Sequence, residues 1–510
     1  MVEGLAERYW QERLARDPGL ATFLGEHAHD AEVPDPSAAA EARWRTTCRE
    51  LVGELDRTTV APDDDVVAGM LRFTLDQELV AVGDGTPAMP SLAVLGCRQM
   101  DGPAEEWMLL LPETTYPEPA HAEALLERCA RAGEHLDTAA DRFLEGLDLG
   151  LPPVRRNVER LLGQVDGFIE GDPADNPLAR VGGPADWDGE AEWRRRLVAA
   201  VRDHVVPAMT RFRQRVAEEQ LPHGRDDEHA GLVHVDPSGE LYRRSMLVMG
   251  GVEGDPEEIH RRGVEYVTGP LAAEWSALGA SVLGVDDPVA LVDRLRDDAS
   301  LAYADDDAML VHARELVDRG AAAMGDWFGR LPRAACVVVA APANMAGSGA
   351  PAWYFPPAPD GSRPGQYVVD NAGATSMMRY EGEATAFHEA IPGHHLQLAI
   401  SSELEGVPAF LRHGTQVAYA EGWGLYAERL ADEMGLYSSD LDRLGMLALD
   451  AFRAGRLVVD TGLHVLGWSR QRAIDWMTRY TPLPATTIAA EVDRYVAIPG
   501  QALAYKLGQW

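Results

Sequence analysis

The chain has 510 residues, 46% of them hydrophobic, and carries 46 Lys and Arg against 82 Asp and Glu, a formal net charge of −36. That length allows a large buried core and predicts two or more lobes. So acidic a surface repels phosphate backbones and anionic lipid, which argues against nucleic-acid and membrane partners and leaves a small substrate as the expected partner. The four cysteines, Cys48, Cys97, Cys129 and Cys336, lie far apart with no CxxC pair, the pattern of reduced thiols in a cytoplasmic protein. The opening MVEGLAERYWQERLARD reads as an amphipathic charged helix, not a signal peptide.

Residues 3–16 read as the first helix, and Asp17-Pro18 carries the signature of the next helix start. Trp44, Cys48, Leu51 and Leu55 mark one apolar face of a helix near 37–57. Further helices are predicted near 63–83, 119–148 and 153–170, then an exposed Pro-, Gly- and Asp-rich connection at 171–189 and a long helix at 189–220. His223, His229 and His234 follow in a loop or short hairpin, at spacings that fit no metal template, and read as surface residues. Asp255-Pro-Glu-Glu258 starts another helical run to about 330.

The character changes at 335–371. Three short β-branched and aromatic runs, 336–339, 352–355 and 366–369, predict a small antiparallel sheet. Substrates of zinc peptidases commonly lie along such a strand edge; the alternative is a purely structural hairpin. Helices resume after 380. One spans 415–434 and is closed by Gly435, with Gly422 and Gly424 inside it at about 1 kcal/mol each relative to alanine, so something must approach this helix closely. The remainder, 440–510, is helical with a Pro499-Gly500 break.

Chemistry concentrates in Glu381–Gln397, where His388, His394 and His395 stand within eight residues and Glu389 follows the first of them. Two histidines at i and i+4 share a helix face, and a glutamate after the first acts as base in zinc hydrolases. Here position i+4 is Pro392, and His394 comes two residues late. On a regular helix six residues turn through roughly 600°, about 120° away from the first face, and seven rise about 10 Å. One metal cannot be shared across either spacing. Pro392 and Gly393 supply the exit: looped out, they leave His-Glu-Ala-Ile-His, which restores H-E-x-x-H. His395 is the rival to His394.

HEAIPGHHLQ, with AYAEGWGLYAE at 418–428, resembles the bacterial domain of unknown function 885 family. The stretches DPGLATFLG, YFPPAPDGSRPGQYVVD, RLVVDTGLHVLGWS and RYVAIPGQALAYKLG extend the resemblance over nearly the whole chain. It implies a metallopeptidase-like protein distantly similar to the HExxH-plus-glutamate zinc peptidases. Such a protein is expected to run some tens of residues past YKLG, whereas this chain ends at Trp510.

A zinc hydrolase needs three protein ligands and an open position. His388 and His394 supply two, and Glu421, on the following helix, is the third, forming a His₂Glu site for one Zn²⁺. Glu428 shares its face, to orient a ligand or hold a substrate amine. Glu389 is the expected general base, and His464 and Tyr495, ahead of Tyr480 and Tyr505, are the expected oxyanion donors, Asp460 orienting His464. Lys506 is the only lysine among 46 basic residues, and an ammonium is not interchangeable with a guanidinium. Lys506 and Arg456, with Tyr505 beside them, are therefore expected to receive a substrate carboxylate in the cleft, a tilt towards carboxypeptidase action. The expected fold is mainly α, a large two-lobed zinc-peptidase-like helical fold with the small sheet beside the active-site helix. Residues 1–334 would form one wall of the cleft and 335–510 the metal-site region. The expected function is zinc-dependent hydrolysis of peptide or related amide bonds. The alternatives are a pathway-specific metal enzyme acting on one metabolite, and a non-catalytic helical binding protein with a vestigial site.

Overall fold

The computed structural model describes residues 1–99, 102–341, 351–358, 361, 363–414 and 416–510. It is mainly helical, and it divides into two compact units: residues 1–227 with 408–411, and residues 228–407 with 412–510. The boundary near 334 expected from the change in composition is not where the chain divides. Residues 228–334 pack with the C-terminal part of the chain: Gly320, on the helix Asp306–Trp327 (α1), lies against the Ile391 carbonyl, where an added Cβ would stand 2.7 Å away.

In the first unit the helix Ala38–Arg57 buries the predicted Trp44, Cys48, Leu51 and Leu55 and is capped by Ser37. Asp17 caps Pro18–Phe23 by accepting from the Leu20 N–H at 3.1 Å. The predicted helix 119–148 is two helices, Pro119–Ala130 and Ala132–Asp148, parted at Arg131.

The second unit carries the sheet: β1 (Cys336–Ala340), β2 (Ala352–Phe355) and β3 (Gly365–Val369). The strands fall where the sequence places them, but the sheet is mixed, not antiparallel. Its order is β1-β3-β2, with β1 parallel and β2 antiparallel to β3. Alternation of residue types marks which segments pair and says nothing of partner or direction, and here β3 takes the central place.

Five further helices build the rest of the site: α2 (Gly382–Glu389), α3 (His394–Ser402), α4 (Val417–Glu433), α5 (Asp440–His464) and α6 (Ala485–Ala497), with the short α7 (Ala504–Gln509) after them. Helix α5 is buried on all sides, as befits the central helix of a large unit. It packs on α2, on α6 and on the helices Pro256–Tyr266 and Arg470–Tyr480. Helices α4 and α7 meet at two glycines: a Cβ on Gly422 would stand 2.4 Å from the Gly508 carbonyl carbon, and one on Gly508 would stand 2.0 Å from the Ala418 oxygen. That close approach is what Gly422 in α4 is for.

Gly422→Ala should therefore overpack backbone against backbone and destabilise the protein by about 1–3 kcal/mol. Urea unfolding measures this, and an unchanged midpoint would show that α4 and α7 do not approach so closely.

Candidate metal centre and cleft

The polypeptide leaves the helical path directly after Glu389. Ala390 (φ −106°, ψ −98°) ends α2 and Gly393 (φ −77°, ψ −129°) precedes α3, with a cis Ile391-Pro392 bond between them. The need for glycine at 393 is spatial: a Cβ there would lie 1.8 Å from the His388 carbonyl oxygen. The detour turns His394 back on His388, so the two imidazoles meet edge to face with centroids 4.8 Å apart.

Glu421 comes to the same point from α4. Its Oε2 is 3.5 Å from Nε2 of His388 and 3.5 Å from Nε2 of His394. The ligand atoms of the three residues all lie within 4.8 Å of one another. Glu428, two turns along α4, reaches the other nitrogen of His388, 2.8 Å from Nδ1 to Oε1. An ionised carboxylate only accepts, so Nδ1 carries a proton, and Nε2 is the nitrogen that faces Glu421 and His394. Gly424 makes room for that ring: a Cβ there would lie 2.7 Å from its Cε1 and Nε2 atoms.

His388 and the carboxylates around it tune one another. Burial works against the His388 cation, but Glu421 and Glu428 outweigh it and raise its pKa to about 9. Burial would raise the Glu421 carboxyl, yet its bonds to His388 and His394 hold it well below the usual range. Glu389 moves the other way: burial pushes its carboxyl up, with the neighbouring histidines opposing. Two imidazole nitrogens and a carboxylate oxygen at this separation fit a divalent cation, and Glu428 is the outer carboxylate that metal-bound histidines commonly keep.

His395 takes no part. Its Nδ1 bonds the Tyr354 hydroxyl at 2.8 Å and its Nε2 the Ala334 carbonyl at 3.1 Å, and burial lowers its pKa to about 4. Both nitrogens are committed, which leaves His394 as the second ring of the cluster.

His388, Glu389, His394 and Glu421 line a cavity of about 680 Å³. The edge strand β2 contributes Ala352, Trp353 and Tyr354 to its lining, the position expected of a strand beside the site. Tyr505 and Arg456 also line it, and Tyr505 stacks on His388 with centroids 6.2 Å apart. Among the described residues, those that line it all belong to the second unit and none comes from 1–227.

Other expected site residues stand elsewhere. His464 is buried away from the lining, accepting from the Leu232 N–H at Nδ1 and bonding the Tyr495 carbonyl from Nε2 at 3.0 Å. Asp460 does not orient it; that carboxylate accepts from the Tyr242 hydroxyl and the Gly500 N–H. Tyr495 is wholly buried, its hydroxyl 3.2 Å from Arg456 Nε, behind the wall of the cleft. Lys506 is buried, as its isolation in the composition suggests, but it is absent from the lining. Its ammonium pairs with Asp450 and stands 4.1 Å over the Tyr266 ring. Asp450 also pairs with Arg429 at 2.7 Å, so Lys506 belongs to a structural charge cluster and not to substrate binding.

The sequence reading missed Glu381, Arg453, Glu491 and Arg494, all of which line the cleft. A signal for Arg453 was present: it stands one turn before Arg456 in a helix that otherwise reads as core.

The fold and site together describe a mainly helical protein whose second unit holds a His-His-Glu cluster on the wall of a closed-in cleft. The chain belongs to the family described as "Bacterial protein of unknown function (DUF885)", whose model matches residues 18–510. Its fold is similar to that of a Colwellia psychrerythraea protein described as a "putative lipoprotein": TM-score 0.89 at 23% identity, covering 100% of this chain and 90% of that one. A Shewanella oneidensis protein, described as a "putative lipoprotein of unknown function", gives a TM-score of 0.71 at 14% identity, with coverage of 100% and 92%. At these identities the likeness is one of fold. No curated protein matches the sequence.

Lys506→Met removes one partner of a buried pair, a change that typically costs about 3–5 kcal/mol, here at the lower end because Arg429 stays with Asp450. The expected outcome is a lower unfolding midpoint with ligand affinity in the cleft unchanged. A stable variant with weakened ligand binding would return Lys506 to the cleft.

Proposed function

We propose that this protein is a metal-dependent hydrolase, with Zn²⁺ as the expected ion, cleaving peptide or related small amide bonds. The observation that supports this most is the convergence of His388 Nε2 and His394 Nε2 on Glu421 Oε2, 3.5 Å from each, in a cavity that Glu389 also lines. His388, His394 and Glu421 would hold the ion, which when bound supplies Lewis-acid activation of water and of the scissile carbonyl.

The remaining roles fall to the chain itself. Glu428 fixes the His388 tautomer and keeps the ring in place. Glu389, on the cleft wall next to His388, accepts the proton of the attacking water and passes it to the leaving nitrogen. Tyr505 replaces His464 and Tyr495 as the donor to the developing oxyanion. It lines the cleft beside His388, and burial together with the Glu421 charge keeps its phenol protonated. The strand β2 offers an edge along which an extended peptide could align its backbone.

Metal analysis of protein purified without chelator should find one divalent ion per chain, and His388→Ala should lose it. Full metal content in that variant, or none in the parent protein, would sink the assignment. Glu389→Gln is nearly isosteric and should keep fold and metal while hydrolysis of a responsive peptide falls about 10²–10⁴-fold. Activity within a few-fold of the parent would remove Glu389 from the mechanism. A panel of unrelated peptides then separates broad peptidase action from a single dedicated amide substrate.

A further inference from the structure

One wall of the cleft is built from α5 and α6 and carries Arg453, Arg456, Glu491 and Arg494. Glu491 is the only carboxylate among these four and is shared: Arg456 reaches it at 3.0 Å and Arg494 at 3.0 Å. Arg453 is left over. It is 9% exposed, and among the described residues no carboxylate lies within ion-pair distance of it. Its Nε is buried with no hydrogen-bond partner, and so is Nη1 of Arg456, one helical turn away. Their guanidinium carbons stand 5.9 Å and 4.2 Å from the Tyr505 ring centroid, so both lie beside the ring that stacks on His388.

Buried donors are almost always paired, and a buried cation without a counter-ion is costly. Two such donors, one turn apart on residues that line one cavity, have no hydrogen-bond acceptor among the described residues. Glu381 also borders the cavity and keeps Oε1 unpartnered; burial pushes its carboxyl up to about 7 against the opposing charge of Arg453, and the two make no ion pair among the described residues. A planar carboxylate matches a guanidinium fork.

We infer that Arg453 and Arg456 form an anion subsite that receives a carboxylate of the substrate, so that this cleft selects peptides or amides bearing a free carboxylate near the bond to be cleaved. The inference rests on the cleft being a substrate site, as proposed above. It reassigns to Arg453 the role that the composition suggested for Lys506. The carboxylate comes from the C-terminus or from an acidic side chain; the guanidinium chemistry is the same for both.

The test measures binding, not turnover, in the full-length Glu389→Gln protein. Three N-acetylated dipeptides are titrated by calorimetry: one with a free C-terminus, its C-terminal amide, and an amidated one carrying a glutamate side chain. A carboxylate-bearing peptide should bind roughly tenfold or more tightly than the neutral amide, and Arg453→Gln should abolish that difference. Whichever carboxylate peptide shows the gain names the source. Equal affinity for all three peptides overturns the inference. So does a preference that persists in Arg453→Gln, since the carboxylate would then be held without Arg453.

Stability gives an independent reading. An unpaired buried charge does not support the fold, so Arg453→Gln should unfold at the parent midpoint or above it; a lower midpoint with carboxylate preference intact would make Arg453 structural and overturn the inference. Hydrolysis is not needed for either measurement. A protein that binds the carboxylate through Arg453 yet cleaves nothing would refute the hydrolase reading and leave the subsite standing.

Discussion

His388 can stand where it does because the positions around it carry no Cβ. Gly424 leaves its ring a place against α4, and Gly393 leaves its carbonyl a place inside the turn that carries His394 back. Gly422 and Gly508 let α7 close on the same stretch of α4, which sets Tyr505 against the His388 ring. The convergence of two imidazoles and two glutamates is thus a packing result before it is a chemical one. A methyl group at any of these positions would push backbone or ring aside, and the 3.5 Å separations from Glu421 depend on there being none.

Helix α5 shows how the same unit distributes buried polarity. Of its buried charged residues, Asp450 is taken up by Lys506 and Arg429, and Asp460 by Tyr242 and the Gly500 N–H, while His464 ties Leu232 to Tyr495. These interactions fix neighbouring segments to the central helix, and only Oδ2 of Asp460 is left without a partner among the atoms of these three side chains. Arg453 and Arg456 sit on the same helix, toward the cleft, and between them keep two donors unanswered. Donors left unanswered on residues that line the cleft mark the part of this helix that meets a ligand.

The helical class and most helix starts were legible because they depend on local signals: Asp17 and Ser37 as caps, the apolar face from Trp44 to Leu55, and the glycine after α4. The cluster of His388, His394 and Glu421 was legible because the Pro-Gly interruption has one local remedy and the glutamate lies on the next long helix. Chain composition did not reveal where the units part, since helices on both sides of residue 228 look alike in sequence. Nor did it reveal strand direction, which is decided by which strand takes the middle of the sheet. His464, Tyr495 and Lys506 were drawn to the site because they are chemically versatile residue types in a helical region rich in core. Their actual partners, Leu232, Arg456 and Asp450, are set by tertiary packing that spacing does not encode.

The burial of Lys506 has a practical side. It is the chain's one side-chain amine, it is 2% exposed, and its lone position leaves the folded surface with guanidinium groups as its only basic side chains apart from histidine. Amine-directed labels and cross-linkers therefore find no lysine on the native protein, whereas the unfolded chain offers one. Acylation of Lys506, followed by mass, would report the opening of the second unit from within, without any probe having been introduced.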